Sequence, residues 1–255
     1  MTALPEAFLR VPLAHRALHD SGQRRPENSR AAIAAAVQHG YGIEIDLQLS
    51  RDNVAIVFHD YRLDRLTSRQ GHINEYDAGV LSDIDLDGSS EGIPRLSDAL
   101  AQIEGRVPLL IELKDQHGQM GPSDGRLERA TALALQGYRG PVAVMSFNPH
   151  MVEHLSQLLP DVPRGLVTCA YRAEHWPELT TETRTALRDI PDYDRVGASF
   201  ISHRLSDLAR PRVAELKDKG AAVLCWTVRS PEEEAEARRI AANITFEGYL
   251  APLSA

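Results

Sequence analysis

Short apolar runs alternate with longer amphipathic stretches along most of this 255-residue chain, and that order restricts the fold more than any other feature. Candidate strands are 11–15, 42–47, 54–59, 108–114, 142–147, 164–168, 196–202, 222–228 and 244–250. Most are runs of Ile, Val and Leu, as expected of parallel strands buried on both faces. Helical stretches separate most of them. The stretch 29–39 opens behind Asn28, a good N-cap, and stops at Gly40. Others span 126–136, 150–159, 210–219 and 231–241; the last begins with Pro231 and three Glu, which suit the positive end of a helix.

Repeated strand–helix order implies a parallel sheet covered by helices. Without 54–59 there are eight strands, and eight such units in roughly 250 residues is the size of a (β/α)8 barrel. An open doubly wound sheet is the alternative. It usually begins with a Gly-rich turn, whereas the first turn here reads His15-Arg16-Ala17-Leu18. The run 54–59 follows 42–47 after Ser50-Arg51-Asp52-Asn53, which is turn chemistry and too short for a helix. A hairpin with a four-residue loop places His59 opposite Glu44. Residues 60–105, rich in Gly, Ser and Asp with weak periodicity, are too long for an ordinary loop. They read as a small insertion near the C-terminal rim of a single barrel domain spanning 1–255.

The net charge of −8 gives nucleic acid or an anionic membrane no electrostatic reason to bind, so an anionic substrate needs a local positive site. No run approaches the roughly 18 apolar residues of a membrane span, and the first residues lack the pattern of a secretory leader. The chain reads as soluble and cytoplasmic. Cys169 and Cys225 cannot build a disulfide framework.

Glu44 and Asp46 are two apart on a strand and share a face. Side by side they repel unless a cation or proton sits between them. Glu112 and Lys114 share a face of another strand. Three oxygen ligands without Cys suit one divalent ion, Mg2+ or Ca2+ and also Mn2+, better than Zn2+. Structural ion pairing, Glu44 with Arg16 and Glu112 with Lys114, is the competing explanation. His15 and His59 end strands at the same rim, and a pair of imidazoles can give and take a proton in turn. Arg16 and Lys114 offer positive charge to a phosphate.

Together His15-Arg16, Pro26-Glu27-Asn28, Glu44-Ile45-Asp46, Phe58-His59-Asp60, Ile111-Glu112-Leu113-Lys114 and Trp226-Thr227-Val228 resemble the ordered motifs of the glycerophosphodiester phosphodiesterases, from about residue 11 to about residue 250. The resemblance implies a (β/α)8 barrel with an insertion after the hairpin. It also implies divalent-metal-dependent hydrolysis of a small-molecule glycerophosphodiester to an alcohol and glycerol 3-phosphate. By resemblance Glu44, Asp46 and Glu112 hold the metal, His15 and His59 are the acid/base pair, and Arg16 and Lys114 bind phosphate. Glu27 supports these residues, and Trp226 borders the glycerol or head-group pocket. Ala17 stands where the family usually has Gly, and Glu247 where its last strand commonly ends in Asp.

Lysophospholipase D-like cleavage is a second function open to such a site, and non-catalytic binding of a phosphate ligand is a third. The latter would retain the basic residues while losing a His or a metal ligand, and none is missing here. His150, Glu153 and His154 match the inverted zinc-protease pattern H-x-x-E-H, but nothing around them supports proteolysis.

Overall fold

The computed structural model describes residues 2–253. Nine strands form one sheet: β1 (Leu13–Ala14), β2 (Gly42–Leu49), β3 (Ala55–Val57), β4 (Leu109–Leu113), β5 (Val142–Ser146), β6 (Arg164–Thr168), β7 (Phe200–Arg204), β8 (Ala222–Val228) and β9 (Asn243–Phe246). Their order β1-β9-β8-β7-β6-β5-β4-β2-β3 closes through a β1–β2 pairing. Eight parallel strands thus make the expected barrel, with β3 antiparallel to the C-terminal end of β2, above its pairing with β1.

Side-chain alternation sorts this barrel. On β2, Ile43, Ile45, Leu47 and Leu49 join the large core between sheet and helices, so Glu44, Asp46 and Gln48 point inward. The lower interior is filled by Leu13, Leu110, Ala143, Met145, Val167, Phe200 and Leu224, plugged by Phe8 of α1 (Ala7–Arg10). Bulk is balanced by glycine there. A Cβ on Gly165 would lie 2.3 Å from the Phe200 ring, and one on Gly42 would lie 2.4 Å from Leu13. Apolar filler below and charged residues above put the chemistry at the C-terminal rim.

Outside lie α2 (Arg30–His39), α4 (Leu96–Ile103), α5 (Arg126–Ala134), α6 (Pro149–Leu158), α7 (Thr181–Arg188), α8 (Pro211–Asp218) and α9 (Pro231–Ala237), with α3 (Ala78–Ser82) in the segment after the hairpin. That segment packs Leu63, Ile73, Leu81 and Ile93 against Ile56 and Phe58 of the hairpin in a small core of its own. Helix α4 lies within the 60–105 stretch, yet its Leu96, Ala99, Leu100 and Ile103 pack into the barrel core against α2.

Three local differences from the sequence reading have physical causes. Ser29, not Asn28, caps α2 by accepting from the Ala32 N–H at 3.1 Å. Strand β7 begins at Phe200 and runs to Arg204, because Val196 and Ala198 are spent on turns that bond back to Asp192 and Tyr193. The hairpin is one residue out of the expected register: Leu47 pairs with Val57 and Leu49 with Ala55. Ser50 also bonds to Val54, leaving a three-residue turn with Asn53 left-handed at φ 62°.

His203 of β7 is fully buried and meets the Thr168 hydroxyl at 2.7 Å through Nδ1. Burial lowers its pKa from 6.5 to about 4. The unfolded chain therefore takes up this proton first, and stability present above pH 6.5 is lost as the pH falls towards 4. Urea unfolding at pH 7 and pH 5 is expected to differ by about 2 kcal/mol from this residue alone. His203→Gln should shrink the difference by that amount; an unchanged difference would exclude His203 as its source.

Candidate active site

Glu44 and Asp46 are each 1% exposed and Glu112 is 7% exposed. One oxygen from each lies within 4.8 Å of the others, a span that two ligand bonds to a single divalent ion can cover. Register explains the convergence: Asp46 is the β-sheet partner of Glu112. The three are not equivalent. Lys114 Nζ lies 2.7 Å from Asp46 and 2.6 Å from Glu112, whereas Glu44 accepts only from the Arg16 backbone N–H at 2.9 Å. Burial, then the charges of Asp46 and Glu112, pushes the Glu44 carboxyl well above its ordinary pKa. Burial works against charge at Asp46 too, but Lys114, then His59 and Arg16, hold it well below the usual range. Pairing of Glu112 with Lys114 is thus real, but it leaves Glu44 without a cation. A hard divalent ion fits that donor set.

His15 and His59 are both held through Nδ1. His15 Nδ1 is 2.5 Å from Glu247 Oε2, and His59 Nδ1 is 2.6 Å from Asp60 Oδ1. With the proton on Nδ1, each ring keeps Nε2 for a substrate. Burial lowers the His15 pKa, and the Glu247 bond offsets part of that. Gln48 supports the second loop by donating to the His59 carbonyl at 3.1 Å.

Arg16 contacts Glu27 at 2.8 Å and Asp46 at 3.6 Å, so its guanidinium, like the Lys114 ammonium, is already matched to carboxylates. Arg16 and Ala17 are consecutive left-handed residues, at φ 51° and 62°. The Ala17 conformation is one that Gly adopts without strain. Trp226 is half-buried on β8, donates its indole N–H to the Ser202 carbonyl at 2.9 Å, and stands edge-on to Phe147. These residues, Ala17, Glu27, Asp46 and Glu247 apart, line one open cavity of about 910 Å3 that reaches the insertion and the loops after β4 and β6.

The site includes side chains that sequence reasoning did not assign. Asn28 donates to Asp46 at 2.9 Å, with its backbone left-handed at φ 59°. Glu247 is held by Arg229 at 2.8 Å while it orients His15. Arg65, in the insertion, donates to both Glu27 and Asp60, at 2.7 and 2.6 Å. It links the support of Arg16 to the support of His59. Arg65→Ala is expected to lower kcat by about 10- to 100-fold, as loss of outer supporting contacts does, with little change in melting temperature. A kcat within twofold of wild type would remove Arg65 from the network.

The H-x-x-E-H helix carries no metal set among the described residues. Glu153 pairs with Arg195 and His154 with Glu128. Ser146 spends its hydroxyl on the Leu113 carbonyl. Glu234, in the acidic first turn of α9, is buried against Tyr249 and Arg238.

The profile of the "Glycerophosphoryl diester phosphodiesterase family" matches residues 15–244. A glycerophosphodiester phosphodiesterase of Caldanaerobacter subterraneus subsp. tengcongensis is 27% identical over 173 residues, covering 64% of this chain and 69% of the relative. Among solved structures, a phosphodiesterase from Oleispira antarctica in complex with its product sn-glycerol-3-phosphate superposes with a TM-score of 0.76 at 24% identity, covering 94% of both chains. A glycerophosphodiester phosphodiesterase from Parabacteroides distasonis gives 0.72 at 21% identity, covering 92% of both.

Proposed function

The chain belongs to the glycerophosphoryl diester phosphodiesterase family and is a phosphoric diester hydrolase, and from this premise we propose that it cleaves glycerophosphodiesters to an alcohol and glycerol 3-phosphate, using one divalent cation and the imidazoles of His15 and His59. The observation that carries the reading is the convergence of Glu44, Asp46 and Glu112, with Glu44 and Glu112 lining the same cavity as the two oriented rings. The Oleispira neighbour's bound product agrees with it.

A cation bound by the three carboxylates supplies neutralisation of the phosphodiester and acidifies a hydroxyl or water. The side chains supply the rest. His15, whose pKa burial lowers, is neutral near pH 7 and takes the nucleophile's proton at Nε2, while Glu247 stabilises the imidazolium formed. His59, held by Asp60 at Nδ1 and acting with both ring nitrogens protonated, gives its Nε2 proton to the leaving oxygen and is left neutral. Arg16 and Lys114 share their charge between carboxylates and phosphoryl oxygens. Metal and proton chemistry thus have separate residues on one rim.

The test is release of glycerol 3-phosphate from glycerophosphocholine in the presence of Mg2+, Ca2+ or Mn2+. Cation-dependent release, abolished by chelation, is expected. Turnover that persists at full rate in excess chelator would exclude the cation, and absence of release with every diester tried would exclude the reaction. Among the described residues no helix is long and apolar enough to cross a membrane.

A further inference from the structure

Five Arg and Lys side chains line the cavity: Arg16, Arg62, Lys114, Arg204 and Arg229. Four are matched to carboxylates: Arg16 to Glu27, Arg62 to Asp64, Lys114 to Asp46 and Glu112, and Arg229 to Glu247. Arg204 is different. Its guanidinium lies 6.0 Å from the centre of the Trp226 ring and has no hydrogen-bond or ion-pair partner among the described residues. Phe200 of the same strand fills the barrel interior, so alternation points Ser202 and Arg204 inward as well. Arg204 therefore crowns the column.

Its place on the rim indicates what it meets. Around the closed barrel β7 is four strands from β2 in either direction, so Arg204 faces the carboxylate cluster from across the mouth. A scissile phosphate held at Glu44, Asp46 and Glu112 lies at the far wall from it. The cavity of about 910 Å3 is at the large end for small-molecule sites and has room for both halves of a diester. Below Arg204, Ser202 is 1% exposed with an unpartnered hydroxyl, and Thr245 on β9 matches it; both line the cavity. Both hydroxyls are therefore free to hydrogen-bond a polar ligand atom that enters the cavity. An unpaired guanidinium presents a planar fork that matches a carboxylate and repels a purely cationic head group.

We propose that Arg204, stacked on Trp226 above the Ser202 hydroxyl, binds a carboxylate on the leaving alcohol and so sets the preference of this enzyme for diesters with an acidic head group. The inference rests on the hydrolysis proposed above. Arg204 is a specificity residue in this scheme and moves no proton.

Glycerophosphoserine and glycerophosphoethanolamine differ by one carboxylate and form the matched pair for the test. The ratio of their kcat/KM values is measured for wild type, Arg204→Gln and Arg204→Lys with the divalent cation present. The ratio is expected to fall by about 10- to 100-fold in R204Q, the range of a charged hydrogen bond, and to be partly kept in R204K. A ratio within threefold of wild type overturns the inference. If both rates fall together, the guanidinium serves the shared glycerophosphate; if neither falls, it serves no ligand. Failure of the wild type to hydrolyse either diester overturns the reaction itself, and this inference with it.

Discussion

His59→Ala and His15→Ala are each expected to lower kcat on glycerophosphocholine by about 10²- to 10⁴-fold, the contribution of a positioned acid or base. The size follows from the geometry. Each ring is fixed through Nδ1 by one carboxylate, so Nε2 is oriented before substrate arrives. Neither ring belongs to the lower apolar core, so alanine should leave the barrel folded. The carboxylate cluster stays in both variants, which should therefore bind the divalent cation as the wild type does. A variant that keeps activity within a few-fold of wild type would remove that histidine from proton transfer. Equal loss of cation binding would mean that the substitution had disturbed the carboxylates instead.

Glu44→Gln should separate cation binding from stability. In the cation-free protein, burial and two neighbouring negative charges favour the protonated carboxyl. Because this folded-state pKa is raised, the cation-free protein gains stability as the pH falls through it. Glutamine resembles the protonated form and should leave cation-free stability unchanged or raise it by about 1 kcal/mol. Losing a direct ligand should weaken cation binding by about 100-fold or more, since outer supporting groups alone account for 10- to 100-fold. At a cation concentration 100 times the wild-type Kd, the wild type should gain about 2.7 kcal/mol and the variant about 0.4 kcal/mol. Thermal unfolding with and without Mn2+ reads this difference. Equal stabilisation of the two proteins would place the cation elsewhere.

Much of the site was legible because strand periodicity is simple. Two acidic residues two apart on β2, with Glu112 and Lys114 two apart on β4, must face the same way within each strand, and parallel register brings the pairs together. The hairpin that carries His59 was legible from its turn residues, although Ser50 shifted its pairing by one. Tertiary partners were not legible. Arg65 lies 38 residues from Glu27 in a segment without periodicity, and no local pattern predicts their bond. Asn28 looks like a helix cap because caps and carboxylate partners use the same side chain. Glu247 stood out as a departure from the family pattern, but its bond to His15 spans 232 residues. Arg204 was hidden by Val196, whose apolar side chain drew the start of β7 forward and left Arg204 beyond its end.

Anomalous diffraction from crystals grown with Mn2+ measures the convergence of the three carboxylates directly. The predicted result is one strong peak within coordination distance of Glu44, Asp46 and Glu112, in crystals of protein that turns over glycerophosphocholine. A peak instead at His15, His19 and Glu247, the other group of described side chains close enough to share an ion, would contradict it, as would active protein whose three carboxylates bind no metal.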